Sequence, residues 1–326
     1  MGGLAARQRQ VPASERVRRA QRLRVLPHDA AYLEQVERAY GVSQRHDEYT
    51  AADHETWRLL LARSEHLVNR YEARLHPAYV EGFRRLVLPW TSIPRLEQID
   101  AALAQHGWRT LCVNGYIPPE VYSGLLARGI FPIAREIRQR EHLEFSPTPD
   151  LAHDMLGHIP MLVSSEHCEF VRRISLATAS THPNPLDHEL FLAHRALGAL
   201  RCGSPRRRRA LLAAEARVDA AQAALALSPS PLTQLDRFYL WSIEFGLMGT
   251  PDDFVVYGAG LLSSPAEAET LFTSGAPIFD FSTDVTRRGI HFSDYQSAYF
   301  VARDHAQLEA VLSRVESSWA PSPHAG

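Results

Sequence analysis

The chain has 326 residues, of which 45% are hydrophobic, 22% charged and 9% aromatic, a globular composition long enough for one large domain or two ordinary ones. A formal net charge of −2 supplies no global positive field for nucleic acid or acidic membranes. All 35 basic residues are arginine; without lysine there is no pyridoxal phosphate Schiff base, no P-loop lysine and no Ser-x-x-Lys nucleophile.

Cys112, Cys168 and Cys202 are odd in number and far apart, with no Cys-x-x-Cys pair. They encode neither a disulfide framework nor a zinc–thiolate knot, so a reducing cytoplasm is the expected location. The segment MGGLAARQRQVPASERVRRAQRLR carries seven arginines and one glutamate with no apolar stretch, unlike a secretory signal. It reads as a solvated leader. No window approaches the ~18 consecutive apolar residues of a membrane span.

Along the chain, apolar residues at three- and four-residue spacing predict a helix over 51–75, and the helical pattern continues over 79–88 after Pro77. Pro94 opens a further predicted helix that Gly107 closes, followed by a short strand over 108–113. Pro118 and Pro119 start another helix, ended by Gly129, and FPIA reads as a second strand. A short helical piece, LAHDMLGH, then precedes helices over about 164–180, 187–200, 206–227 and 232–248. The alanine- and arginine-rich stretch 206–227 reads as a surface helix. From Phe254 the chain is expected to return to short strands and tight turns (FVVYGAGLLSS), before a last helix over 304–317. Helices dominate, strands are brief, and no internal repeat recurs at a fixed period.

His153 and His158 stand five apart in HDMLGH, alone a weak motif. On an ideal α-helix five residues turn the second side chain ~140° away from the first. Gly157 and Pro160 mark a helix end that would let His158 swing onto a neighbouring position. Asp150, three residues before His153, is near enough to orient it. In YLWSIEFGLM, Glu244 lies inside an apolar helical run. A glutamate there either pairs with an arginine or completes two histidines and one carboxylate on one face of a metal, the arrangement of non-haem iron(II) oxygenases.

The segments YTAADHETWRLLLAR, IPRLEQID, SPTPDLAHDMLGHIPML, YLWSIEFGLM, YGAGLLSS and YQSAYFVA occur in one order from Tyr49 to the last helix. Together they resemble the pterin-dependent aromatic amino acid hydroxylases, most of all the bacterial phenylalanine enzymes. The resemblance implies a mostly α-helical single catalytic domain with short β ribbons, spanning 46–320. An arginine-rich, partly disordered leader (1–45), a helical insertion at about 181–231 and a tail (321–326) would complete the chain. It covers the catalytic domain alone, without the regulatory domain and tetramerisation helix of the animal enzymes, so a monomer is expected.

What the resemblance implies for the site is specific. His153, His158 and Glu244 would hold Fe(II). Arg138 would grip the substrate carboxylate with a planar fork, steadied by Asp150. Ser146 and Ser263 match hydroxyl positions beside the amino acid and the iron ligands, and Pro149, Phe245 and Gly260 match positions lining the ring pocket. Tyr122 would stack on the pterin, with the Gly115 and Ile117 backbone bonding its edge. Tyr239 matches a tyrosine near the iron-bound water, and Asp154 an acidic residue on the cofactor side.

Two departures stand out. Leu240, beside Trp241, occupies a position where the family usually carries an aromatic residue against the substrate ring, which opens space of a kind that shifts discrimination by roughly 10–200-fold. Val301 keeps the apolar residue of phenylalanine enzymes. The segment 181–231 is also longer than in close relatives and would either cover the site or lie outside it.

The expected activity is therefore Fe(II)-, tetrahydropterin- and O2-dependent hydroxylation of a free aromatic amino acid, L-phenylalanine to tyrosine. The alternatives are meta-tyrosine formation or tryptophan hydroxylation by the same chemistry. A zinc hydrolase and a non-catalytic binding protein are remoter; the chain has no His-Glu-x-x-His motif.

Overall fold

The structure is a computed structural model and describes residues 30–86, 88–89, 91–144, 150–201, 208–290 and 294–319. Its first helix, α1 (Ala30–Tyr40), lies inside the expected leader. Tyr32, Leu33, Val36 and Tyr40 form a helical stripe that packs on Val113, Ile117, Leu125 and Ile130. The end of the leader is therefore part of the folded body, because those apolar residues have somewhere to bury; residues 1–29 lie outside the described residues.

The Thr50 hydroxyl accepts the Asp53 N–H, and the Asp53 carboxylate accepts the Thr50 N–H at 2.8 Å. This reciprocal pair satisfies donors that a helix start leaves open and launches α2 (Ala51–Tyr71), which buries Trp57, Leu60, Leu61, Leu67 and Val68. Next come α3 (Pro77–Arg85) and α4 (Leu96–Leu103). Helix α4 starts after Arg95 rather than with Pro94 in its first turn, since Arg95 still has extended backbone. Strand β1 (Arg109–Val113), helix α5 (Pro119–Leu126) and strand β2 (Ile130–Ala134) form a βαβ unit, its strands paired in parallel from Arg109↔Ile130 to Val113↔Ala134.

Helix α6 (Leu151–His153) passes into a π-helical turn, Asp154–His158, and a 3₁₀ turn, Ile159–Val163. After α7 (Ser165–Ala179), the helices α8 (Pro185–Arg201) and α9 (Arg208–Leu227) pack on each other as a hairpin over Ala193, Leu197, Ala214 and Val218. Helix α10 (Pro231–Tyr239) runs into a second π turn, Leu240–Glu244.

The expected helix over 232–248 therefore stops at Glu244, and β3 (Gly246–Gly249) follows. Apolar periodicity could not mark the stop; Gly246 and Gly249 do. Strand β4 (Phe254–Val256) pairs antiparallel with β3, while β5 (Ile278–Asp280) and β6 (Tyr299–Ala302) complete a four-stranded sheet ordered β4-β3-β6-β5. Within FVVYGAGLLSS the expected turn is a single helical turn, α11 (Ala259–Leu262); α12 (Pro265–Ser274) and the terminal α13 (His305–Ser317) follow.

Trp57, Tyr79, Phe131, Phe170, Phe238 and Tyr257 are fully buried within one core. At about 1.5–3 kcal/mol for each large apolar side chain removed from water, this core holds the two π turns rigidly against each other. No helix among the described residues is long and apolar enough to cross a membrane.

Candidate active site

The two π turns bring the metal candidates together. In a π turn the backbone bond closes from i to i+5, as Ile159 N–H to the Asp154 carbonyl and Phe245 N–H to the Leu240 carbonyl do here. Residues five apart then stack one above the other, as residues four apart do on an α-helix. His158 thus faces His153 through the extra residue in the turn, not through a swing at the helix end. Their Nε2 atoms lie 3.1 Å apart, with Glu244 Oε1 3.0 Å from His158 Nε2 and Glu244 Oε2 3.5 Å from His153 Nε2.

Three donors at about 2.1 Å from one ion and at right angles to each other lie about 3 Å apart, so this set fits a metal held on one face. Asp154 also has a donor within 4.8 Å of the two histidines. It is the poorer third ligand: its Oδ2 accepts the Ala134 N–H at 2.7 Å, and burial pushes its carboxyl up to about 8.

The lone pairs are correctly disposed for an ion. The Ser263 hydroxyl donates to the Ala259 carbonyl at 2.8 Å, so it accepts from His153 Nδ1–H at 2.8 Å, and His153 Nε2 is left with its lone pair. Burial pulls the His153 pKa down to about 4, keeping the ring neutral. Burial acts the same way on His158, but the Glu244 carboxylate outweighs it and raises His158. Burial would raise Glu244 in turn; the two imidazoles outweigh it and hold the carboxylate ionised.

On the same wall, Asp150 caps α6 by accepting the His153 N–H at 3.0 Å. Its carboxylate also accepts Arg138 Nη2 at 2.7 Å, Nε at 3.0 Å and the Arg138 backbone N–H at 2.6 Å. Burial opposes the Asp150 charge, but Arg138 more than compensates and lowers its pKa. The Arg138 side chain is only 2% exposed, and among the described residues its Nη1 has no hydrogen-bond partner. A buried guanidinium nitrogen without an acceptor is costly, and a carboxylate is its natural complement. Asp150 thus steadies Arg138 and the His153 backbone, while Ser263 steadies the ring.

The loop from β1 to α5 carries the positions that resemblance assigns to the pterin. Gly115 has φ +72°, a left-handed conformation that favours glycine. Among the described residues, the backbone groups of Gly115, Tyr116 and Ile117 make no hydrogen bond to the chain. Tyr122, on α5, meets Tyr239 edge to face at 6.0 Å, with hydroxyls 3.4 Å apart.

Leu240 and Phe245 are half-buried on the second π turn. Trp241 does not substitute for the missing ring at Leu240: it turns into the core, donates Nε1–H to the Arg288 carbonyl and packs on Phe300 at 4.9 Å. Gly260 lies so close that a Cβ there would come within 2.9 Å of the Glu244 carbonyl oxygen and 3.1 Å of the Phe245 ring. Val301 is buried in β6 opposite Leu247. Ser146 and Pro149 lie outside the described residues.

Sequence reading missed several features. Phe131 lies against the His158 ring at 5.0 Å, and Asp236, on α10, is a half-buried carboxyl raised to about 7 by desolvation. A second imidazole cluster surrounds Tyr257, whose hydroxyl bonds His167 Nδ1 at 2.7 Å and His305 Nε2 at 3.0 Å, with His76 packed edge-on. Their spacing of about ninety residues or more carries no motif; only the many histidines hint at such clusters.

The family model for biopterin-dependent aromatic amino acid hydroxylases matches residues 29–188 and 213–318. Phenylalanine-4-hydroxylase of Pseudomonas aeruginosa is 30% identical over 267 residues, 80% of this chain and 81% of that protein. The Chromobacterium violaceum phenylalanine-4-hydroxylase is 27% identical over 273 residues, 82% of this chain and 75% of its own. The fold matches a Chromobacterium violaceum phenylalanine hydroxylase structure with bound iron(III) and 7,8-dihydrobiopterin at a TM-score of 0.66 and 24% identity, over 95% of this chain and 93% of that one. With the matched segments spanning most of its length, this chain belongs to the biopterin-dependent aromatic amino acid hydroxylase family.

Proposed function

We propose that this enzyme hydroxylates free L-phenylalanine to tyrosine, with Fe(II) and a tetrahydropterin as cofactors and O2 as co-substrate. The observation that carries the reading is the convergence of His153, His158 and Glu244 donors beside the partnerless Nη1 of Arg138. The two relatives named phenylalanine-4-hydroxylase support phenylalanine as the substrate. When bound, iron and reduced pterin supply the electrons and the oxygen chemistry.

The chain's own residues do the rest. His153, His158 and Glu244 hold the ion on one face and leave the other face open. Arg138 takes the amino acid carboxylate on Nη1 while Nε and Nη2 remain on Asp150. Leu240, Phe245, Gly260 and Val301 border the aromatic ring, with Ser146 and Pro149 assigned beside it by resemblance. Tyr122 offers a face to the pterin, Gly115 and Ile117 offer free backbone groups to its edge, and Asp154 adds a carboxyl on the cofactor side. Tyr239, edge-on to Tyr122, would stand near the iron-bound water by resemblance. The buried walls exclude water from the reacting ring. We take the enzyme to act as a monomer in a reducing cytoplasm, a reading supported by the free, buried thiols of Cys112 and Cys168.

The test is an aerobic assay of Fe(II)-loaded protein with tetrahydrobiopterin and, separately, phenylalanine, tyrosine and tryptophan, with product isomers separated by chromatography. Para-tyrosine is expected. Meta-tyrosine or hydroxytryptophan would instead make the space at Leu240 decisive, and no product from any amino acid would overturn the reading.

A further inference from the structure

The hairpin α8–α9 falls across a break in the family pattern, where the match stops at residue 188 and resumes at 213. Two anchors hold it. At its base, Asp187 Oδ1 accepts Ser230 Oγ at 2.7 Å and Thr233 Oγ1 at 2.6 Å, tying the first turn of α8 to the start of α10, the helix that leads to Glu244. One turn further on, Phe191 stacks on Tyr116 with centroids 5.8 Å apart and planes at 29°, and His194 packs on the same ring at 5.5 Å.

Tyr116 sits between the two residues whose backbone is assigned to the pterin. The loop has little restraint of its own: Gly115 is conformationally free and the backbone groups of 115–117 make no bond to the described chain. Ile117 fixes one end by burial against Val36 and Leu125. At the other end the Tyr116 ring, still 37% exposed, rests on the hairpin. A ring held against the hairpin restrains the Tyr116 Cα, and through it the peptide planes on either side that would bond the heterocycle.

We infer that the inserted hairpin is a fixed wall of the pterin pocket, and that Phe191, through Tyr116, is the positioning residue that holds the Gly115–Ile117 backbone for the reduced pterin. This rests on the assignment of that loop to the cofactor. The ring contacts of Phe191 are with Tyr116 and His188, so its effect is expected on pterin binding rather than on iron or the amino acid.

The experiment compares wild type, Phe191→Ala, Phe191→Tyr, Tyr116→Ala and the double alanine variant by calorimetric titration with 7,8-dihydrobiopterin, alongside steady-state constants for both substrates and melting temperature. Phe191→Ala is expected to weaken dihydrobiopterin binding and raise the tetrahydrobiopterin KM about three- to tenfold, with kcat and the phenylalanine KM within about twofold of wild type. Phe191→Tyr restores binding, and the two alanine losses are non-additive, because each removes the same contact. If Phe191→Ala binds dihydrobiopterin as wild type does, or if the losses add, the wall is not a pterin element. A uniform drop in kcat and melting temperature with unchanged pterin binding overturns it equally. If Phe191→Ala does not fold, Tyr116→Ala alone decides: unchanged pterin binding overturns the inference. Wild type that neither binds dihydrobiopterin nor forms tyrosine fails at the assignment of function; wild type that does both, beside an indifferent Phe191→Ala, fails only at the wall.

Discussion

Two buried imidazole clusters lie in this fold, and they are built to opposite ends. Around Tyr257, the hydroxyl donates to one of the two nitrogens it meets, on His167 and His305, and accepts from the other, so both are paired inside the protein. At His153 and His158 the nitrogens turned toward each other meet a carboxylate instead of a hydroxyl, and the remaining His153 nitrogen is fixed from behind by Ser263. Burial is common to both. What separates a ligand site from a structural one is whether the donors converge on a point where no proton can satisfy all of them.

Substitutions sharpen that contrast. His158→Ala is expected to lose stoichiometric iron and to cut tyrosine formation by more than about a hundredfold, read by metal analysis and product assay. Retention of one iron per chain in that variant would remove His158 from the ligand set. Ser263→Ala frees the His153 ring and is expected to weaken iron binding by about ten- to a hundredfold while the protein remains folded.

In the other cluster, Tyr257→Phe leaves two imidazoles without their partner. It is expected to cost about 1–3 kcal/mol of stability in denaturant titrations with iron content unchanged. Equal iron loss in Tyr257→Phe and Ser263→Ala would erase the distinction drawn between the clusters.

The second cluster also sets acid stability. Burial, with a smaller contribution from His305, lowers His76 to about 4, and burial holds His167 well below its ordinary value. The unfolded chain takes up these protons near pH 6.5, so it binds more protons than the folded one below that point. Stability is therefore full above about pH 6.5 and falls as the pH drops toward 4, with a slope of about 1.4 kcal/mol per pH unit for each group. Melting temperatures between pH 7.5 and 5 should show this acid limb, and His76→Gln should make it shallower.

Much of this was legible in the chain before folding. Glu244 announced itself as a carboxylate in an apolar run, and Asp150 as a residue near enough to orient His153. The five-residue histidine spacing was legible too, but its cause was not: helical periodicity assumes bonds from i to i+4, and nothing in HDMLGH or LWSIE encodes the longer closure. The same blindness carried the expected helix past Glu244 into β3. Arg138, Tyr122 and Gly115 were visible only through resemblance, because an arginine or a tyrosine looks alike whether it faces solvent, core or ligand. The stacking of Phe191 on Tyr116 joins residues 75 positions apart and has no local signature.

The paired π turns also bear on how such a site can change. A π turn is an α-helix with one residue too many, so each half of the centre is written as a count as well as a composition. Removing a single residue from 154–157 would restore an ordinary helix with the histidines four apart and still on one face, whereas relaxing the present five-residue spacing into a regular α-helix would turn the second ~140° away from the first. The centre therefore depends on spacing and closure together: a five-residue spacing requires the longer backbone bond, and one cannot change without the other.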